Sequence, residues 1–147
     1  GGYGWKDAGT FAYATLNSGI VEGEEGTRYV FTGWSGDATG NDFHQSDPIY
    51  VDSPKKAIAN WKTQFYLTAN TNPQGIATIE AQGWYDNGTS AYLSAPSIVE
   101  SEIGTRHLFA NWTLGNVDIA SNPIQVLMNS PHEATANYKT QHKFSVT

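Results

Sequence analysis

The chain has no cysteine among its 147 residues, a single methionine, and charged residues at only 15% of its length. Without cysteine there are no disulfide staples and no thiolate zinc sites, although an extracellular location stays open. Eight basic residues face fourteen acidic ones, for a net charge of −6. A phosphate backbone needs a basic face, so no nucleic-acid partner is expected. No run approaches the roughly 20 apolar residues of a membrane span. The chain begins with Gly1 rather than Met and shows no apolar targeting segment, so the expectation is a processed precursor or a piece of a longer chain. Motifs of catalysis are missing too: there is no Gly-rich phosphate loop, no G-x-S-x-G elbow and no H-E-x-x-H. His44, His107, His132 and His142 have no metal-ligand spacing. No enzyme and no resident cofactor are expected.

What is present is a repeat. Gly4-Trp5-Lys6-Asp7-Ala8-Gly9-Thr10 returns 79 residues later as Gly83-Trp84-Tyr85-Asp86-Asn87-Gly88-Thr89. Gly26-Thr27-Arg28 returns 78 residues later as Gly104-Thr105-Arg106, and Asn60-Trp61-Lys62-Thr63-Gln64 returns 77 later as Asn137-Tyr138-Lys139-Thr140-Gln141. A near-constant period marks tandem modules, and the slow drift places short insertions in loops. The second copy opens with a segment, Phe65 to Gln82, that has no counterpart before Gly4-Trp5. Beyond Gln141, His142-Lys143-Phe144-Ser145-Val146-Thr147 aligns with Phe65-Tyr66-Leu67-Thr68-Ala69-Asn70. The expected layout is therefore a first module over 1–63 lacking its opening strands, a second over 64–138, and a spare strand over 139–147.

Apolar residues alternate with period two and not with a helical period, which predicts an all-β protein. In the second copy strands are expected over Phe65–Asn70, Ile76–Ala81, Ser90–Ala95, His107–Thr113, Pro123–Met128 and Glu133–Tyr138. In the first they are expected over Phe11–Leu16, Tyr29–Ser35, Pro48–Val51 and Lys56–Trp61. The stretches Asn17–Gly26 and Ser97–Gly104 are the least readable and could hold a helical turn. Short strands at this spacing, with turn residues between them, point to two tandem immunoglobulin-like β-sandwich modules; a β-grasp variant is the alternative. Trp5/Trp84, Trp34/Trp112 and Trp61/Tyr138 recur at matched places, as framework packing requires; a sugar-stacking surface is the other reading of the same rings.

Val30-Phe31-Thr32-Gly33-Trp34-Ser35-Gly36-Asp37, followed by Ala57-Ile58-Ala59-Asn60-Trp61-Lys62-Thr63-Gln64-Phe65-Tyr66-Leu67, resembles the divergent internalin-B-type repeats of bacterial and archaeal surface proteins. The second copy resembles them in Asn122-Pro123-Ile124 and Ala134-Thr135-Ala136-Asn137-Tyr138-Lys139-Thr140-Gln141, and departs at Asn111-Trp112-Thr113-Leu114-Gly115, where Ser-Gly-Asp is missing. The Lys-Thr-Gln joint is similar to that of archaeal surface proteins. The resemblance implies a secreted or cell-surface protein of tandem β modules, used as stalk, lattice, adhesin or filament, with no catalytic site to carry over.

Five groups of residues are candidates for specific roles. His142, Phe144 and Val146 alternate with Lys143, Ser145 and Thr147, as a half-buried strand requires. They are the expected donor face of a strand that enters the incomplete module of another copy, giving a head-to-tail filament by β-augmentation. A stalk or adhesin module of a larger surface protein, with cell-surface glycans as ligands, is the alternative. Asn87-Gly88-Thr89 and Asn111-Trp112-Thr113 are N-glycosylation sequons. Asp37, Asn41, Asp42 and Asp47 crowd one Gly-rich loop and are candidate Ca²⁺ ligands, although the same residue types are ordinary turn formers. Glu22, Glu24 and Glu25, with Glu100 and Glu102, read as solvated loop charges. Lys62 and Lys139 with Asn60 and Asn137 could form intramolecular isopeptide bonds; as strand-end lysines they also read as solvated edge guards.

Overall fold

The computed structural model describes residues 3–147 and is all-β, with no helix among the described residues. No helix there is long and apolar enough to cross a membrane. The chain divides into two compact units, Gly1–Gln64 and Phe65–Thr147. Its strands are β1 (Thr10–Ala12), β2 (Ile20–Glu22), β3 (Thr27–Gly36), β4 (Ile49–Val51), β5 (Ala57–Asn72), β6 (Gly83–Asp86), β7 (Thr89–Leu93), β8 (Ile98–Glu100), β9 (Thr105–Leu114), β10 (Val117–Ile119), β11 (Ile124–Met128) and β12 (His132–His142). β5 carries the chain from the first unit into the second.

The second unit is sandwich-like. One sheet runs β10-β9-β12-β5, with β8 on β9 and β6 on β5; the other is the antiparallel pair β11-β7. Alternation determines what each strand buries: Ala91, Leu93 and Ala95 from β7 and the residues just past it, Ile124, Val126 and Met128 from β11, Trp112 from β9, and Ala134, Ala136 and Tyr138 from β12. All of these join Leu67, Ala69 and Ile79 in one core cluster. The second half of β5 lies parallel to β12, with Leu67 opposite His132, Ala69 opposite Ala134 and Asn72 opposite Asn137. A parallel pair needs a long crossover, and here β6 to β11 provide it. The opening segment of the unit thus closes the sheet at the unit's last strand, and Leu67 is fully buried there. Buried polar groups are paired: Asn122 accepts from Ala95 N and from Trp112 Nε1 at 3.1 and 3.3 Å and donates to Ala95 O at 2.8 Å. The Tyr138 hydroxyl donates to Pro96 O at 2.6 Å, and burial pushes its pKa up.

The first unit repeats this framework with less inside it. Its strands are ordered β2-β3-β5, with β1-β4 as a separate antiparallel pair. The repeated motifs make repeated contacts. Arg28 Nε donates to Gln64 Oε1 at 2.8 Å, as Arg106 Nε does to Gln141 Oε1. Thr27 N donates to Glu24 O and Thr105 N to Glu102 O, in turns whose Gly26 and Gly104 sit at φ of 75° and 79°, a conformation that glycine tolerates best. Gly36 also has a positive φ, and a Cβ there would lie 2.5 Å from Lys56 O, so the Ser-Gly-Asp turn needs glycine at that point. Yet among the described residues the buried core cluster is Ala14, Ala38 and Ile49, with Trp34 half-buried against them.

Three expectations are corrected. Ile76–Ala81 is not a strand: the chain turns there, Gln82 N bonds to Ile79 O, and the Gln82 side chain accepts from Ala69 N. Ile79 still reaches the core from that turn. Asn17–Gly26 and Ser97–Gly104 hold no helical turn; they contain β2 and β8, which pair with β3 and β9. β12 also runs past Tyr138, so residues 139–142 belong to the second unit's own sheet, paired with β9.

Leu67 is the test of the core. Leu67→Ala removes a fully buried side chain and is expected to destabilise the second unit by about 2–5 kcal/mol, measured as a lower urea midpoint. Phe144→Ala, at an exposed position, is expected to leave that transition in place.

Candidate assembly edge and surface sites

β12 in the second unit has neighbours on both edges, β9 on one and β5 on the other. Its counterpart in the first unit, 77 residues earlier, is the first half of β5. One edge of that half is occupied by β3: Asp37 N donates to Lys56 O at 2.9 Å, Lys56 N donates to Asp37 Oδ2 at 2.8 Å, and the Asn60 side chain donates to Gly33 O and Ser35 Oγ. Among the described residues the strands hydrogen-bonded to β5 are β3, β6 and β12. Of these, β12 takes 67–72, and β6 lies beside the Trp84–Tyr66 ring contact. The edge of Ala57–Ile58 opposite β3 therefore has no strand neighbour among the described residues. With Lys56 turned to β3, alternation points the N–H and C=O of Ala57 towards that edge.

Burial follows the same line. Ala134, Ala136 and Tyr138 are buried, whereas their counterparts Ala57, Ala59 and Trp61 are exposed, half-buried and half-buried. Trp112 is 0% exposed, but Trp34 is only half-buried. Phe11, Tyr13, Ile20, Val21 and Tyr50 of the first unit are all exposed apolar side chains.

The expected donor residues divide. His142 is the last residue of β12; it pairs with Thr105 and its Nδ1 lies 3.1 Å from Thr105 Oγ1. Lys143 N still donates to Gly104 O at 2.7 Å. Phe144 and Val146 lie beyond that last tie and are 87% and 82% exposed. The strand alternation seen in the sequence thus becomes, at Phe144 and Val146, two large apolar side chains in water.

The acidic loop is held by its own hydrogen bonds. Asp37 accepts from Lys56 N, Asp42 from His44 N at 2.9 Å, and Asp47 from the Thr39 hydroxyl at 2.8 Å, while Asn41 is exposed. Among the described residues no three His, Asp or Glu side chains are grouped to hold a metal ion. Asn60 and Asn137 use their amides to tie neighbouring strands, Asn137 donating to Asn111 Oδ1 and Thr113 Oγ1 at 2.8 Å each. In the loop before β5, Lys55 Nζ lies 2.8 Å from Asp52 Oδ1, which holds the Asp52 pKa down and the Lys55 pKa up.

Sequence reasoning missed His107, which is buried with Nδ1 3.0 Å from Thr140 Oγ1 and Nε2 3.2 Å from Ser101 Oγ. A serine–histidine contact invites a catalytic reading, but the orienting position at Nδ1 holds a hydroxyl where a triad needs a carboxylate. Its position in strand β9, one residue after Arg106, was the only signal. Trp5 is fully exposed, whereas its counterpart Trp84 is half-buried beside Tyr66.

No family model matches the chain, and comparison with curated proteins and with solved structures finds no match.

The two sequons differ in access. Asn87 is exposed at a turn, while Asn111 sits half-buried in mid-strand, accepting from Asn137. In a host that N-glycosylates, peptide mapping is expected to find glycan at Asn87 and an unmodified Asn111.

Proposed function

We propose that this protein is a non-enzymatic, extracellular structural subunit whose immunoglobulin-like modules join head-to-tail, copy to copy, by donated strands to form a cell-surface filament. The observation that carries the proposal is a match between a vacant place and a spare piece. In the second unit, 67–72 lies parallel on β12; on the first unit the equivalent edge has no strand neighbour among the described residues; and the residues after β12 align with that closing strand, with apolar Phe144 and Val146 at the places of Leu67 and Ala69. Strand addition supplies main-chain hydrogen bonds, and burying Phe144 and Val146 contributes about 1.5–3 kcal/mol each. A heterologous contact of this kind does not close on itself and yields a fibre. The resemblance to internalin-B-type surface repeats supports the same setting.

A stalk module of a longer surface protein is the second reading, favoured by β5. That strand ends one unit and opens the next, and the residues after β12 continue in the same way. In a stalk they open a further module of the same chain.

Negative-stain electron microscopy separates the two. The 147-residue chain is expected to form fibres, and both Phe144→Asp and a chain ending at Lys143 are expected to remain as single particles. Truncation at Lys143 is preferred to a shorter chain because Thr140 and Gln141 hold His107 and Arg106. Single particles from the intact chain at all concentrations would contradict the filament and leave the stalk.

A further inference from the structure

We infer that a second copy's tail enters the first unit parallel to the start of β5 in one register, Phe144 opposite Lys55, Ser145 opposite Lys56, Val146 opposite Ala57 and Thr147 opposite Ile58. This rests on the filament reading and gives that contact its direction and its partners. The register is transferred from the second unit, where Leu67, Thr68, Ala69 and Asn70 stand opposite His132, Glu133, Ala134 and Thr135. Both strands of that pair recur at a 77-residue offset, β12 as the first half of β5 and 67–70 as 144–147. The direction is unusual: addition to an exposed edge can run either way, and only the second unit's own closure specifies parallel.

Side-chain size supports the match. At core positions Leu93 and Met128 of the second unit are fully buried; the first unit has the smaller Ala14 and Val51 at the corresponding places, Val51 standing opposite Thr10 as Met128 stands opposite Thr89. The tail is larger where the acceptor is smaller, with Phe144 for Leu67 and Val146 for Ala69. Cores tolerate exchanges that keep the total volume, so a donated Phe and Val fit a unit whose own side chains have shrunk. Lys143 is the counterpart of Tyr66 at an offset of 77 and Trp5 that of Trp84 at 79, so the inferred register brings Lys143 to Trp5, where the second unit sets Tyr66 against Trp84 at 5.1 Å between ring centroids. A lysine over an indole face is a favourable cation–π pair, and it covers a ring that is otherwise 102% exposed.

The chain contains no cysteine, so introduced pairs report alone. Ser145 and Lys56 correspond to Thr68 and Glu133, half-buried and exposed, which leaves the pair open to oxidant. Directly opposed residues on neighbouring strands, about 4.8 Å apart, lie within the span of about 4.4–6.8 Å that a disulfide accepts. The full chain carrying Lys56→Cys and Ser145→Cys is expected to give, on mild oxidation, a ladder of covalent multimers on a non-reducing gel. Ile58→Cys with Ser145→Cys, a slip of two residues on the same face, is expected to give at least tenfold less. Fibres with the opposite preference would overturn the register and leave strand donation standing. A bridged monomer would place the tail in its own chain and overturn the second copy as occupant. No fibres and no bridge from either pair would overturn the filament reading itself.

Discussion

The closing of a sheet by a strand that enters at the start of a module and pairs at its end is the constraint on which the structure depends. Leu67–Asn72 lie parallel to His132–Asn137, and everything between them in the chain is the crossover that makes this pairing geometrically allowed. Remove that strand and the loss is more than a row of hydrogen bonds. Leu67 and Ala69 go with it, and Ala134, Ala136 and Trp112 lose the side chains that share their core. The first unit displays that condition: the same framework, with matching Arg–Gln and Asn ties, surrounds a core of three small or medium side chains.

Because the framework ties lie at the β2–β3–β5 side of the first unit, its strands keep their places without a closing strand. What is missing is apolar filling, and apolar filling is non-directional and proportional to area removed from water. A surface in that state favours association with any segment that has the correct alternation and size. The segment after His142 has both, with Phe144 and Val146 spaced two apart and charged or hydroxyl side chains between them. The function proposed here is thus a consequence of modular folding: the element that completes a module is also the element that joins modules.

Much of this was legible in the sequence. Alternation at Ala91, Leu93 and Ala95, and at Ile124, Val126 and Met128, matched strands and their buried faces, because period two puts alternate side chains on one face of a strand. The repeat itself put the joint between residues 63 and 64, one residue before the division of the compact units after Gln64. The failures have physical causes. Ile20–Glu22 and Ile98–Glu100 are three-residue strands, too short for a period to show among glutamates that solvate readily. Ile76–Ala81 carries alternating apolar residues but turns, because the neighbouring edge of β5 is taken by β6 and Ala69 N finds its acceptor in the Gln82 side chain. Parallel pairing of β5 with β12 joins residues 65 apart in sequence and leaves no local trace. The Asp37–Asp47 loop was readable as composition only; that its carboxylates serve main-chain and hydroxyl donors of the same unit is a matter of geometry.

The central claim is that the outer edge of β5 at Ala57–Ile58 is a place for a strand of another copy. Hydrogen exchange of the intact chain, followed by mass spectrometry at rising protein concentration, tests it most directly. The account predicts that a peptide covering 55–58 exchanges fast in dilute solution and becomes protected as concentration rises, in step with a peptide covering 144–147. Fast exchange of both at every concentration, or protection of one without the other, would contradict it.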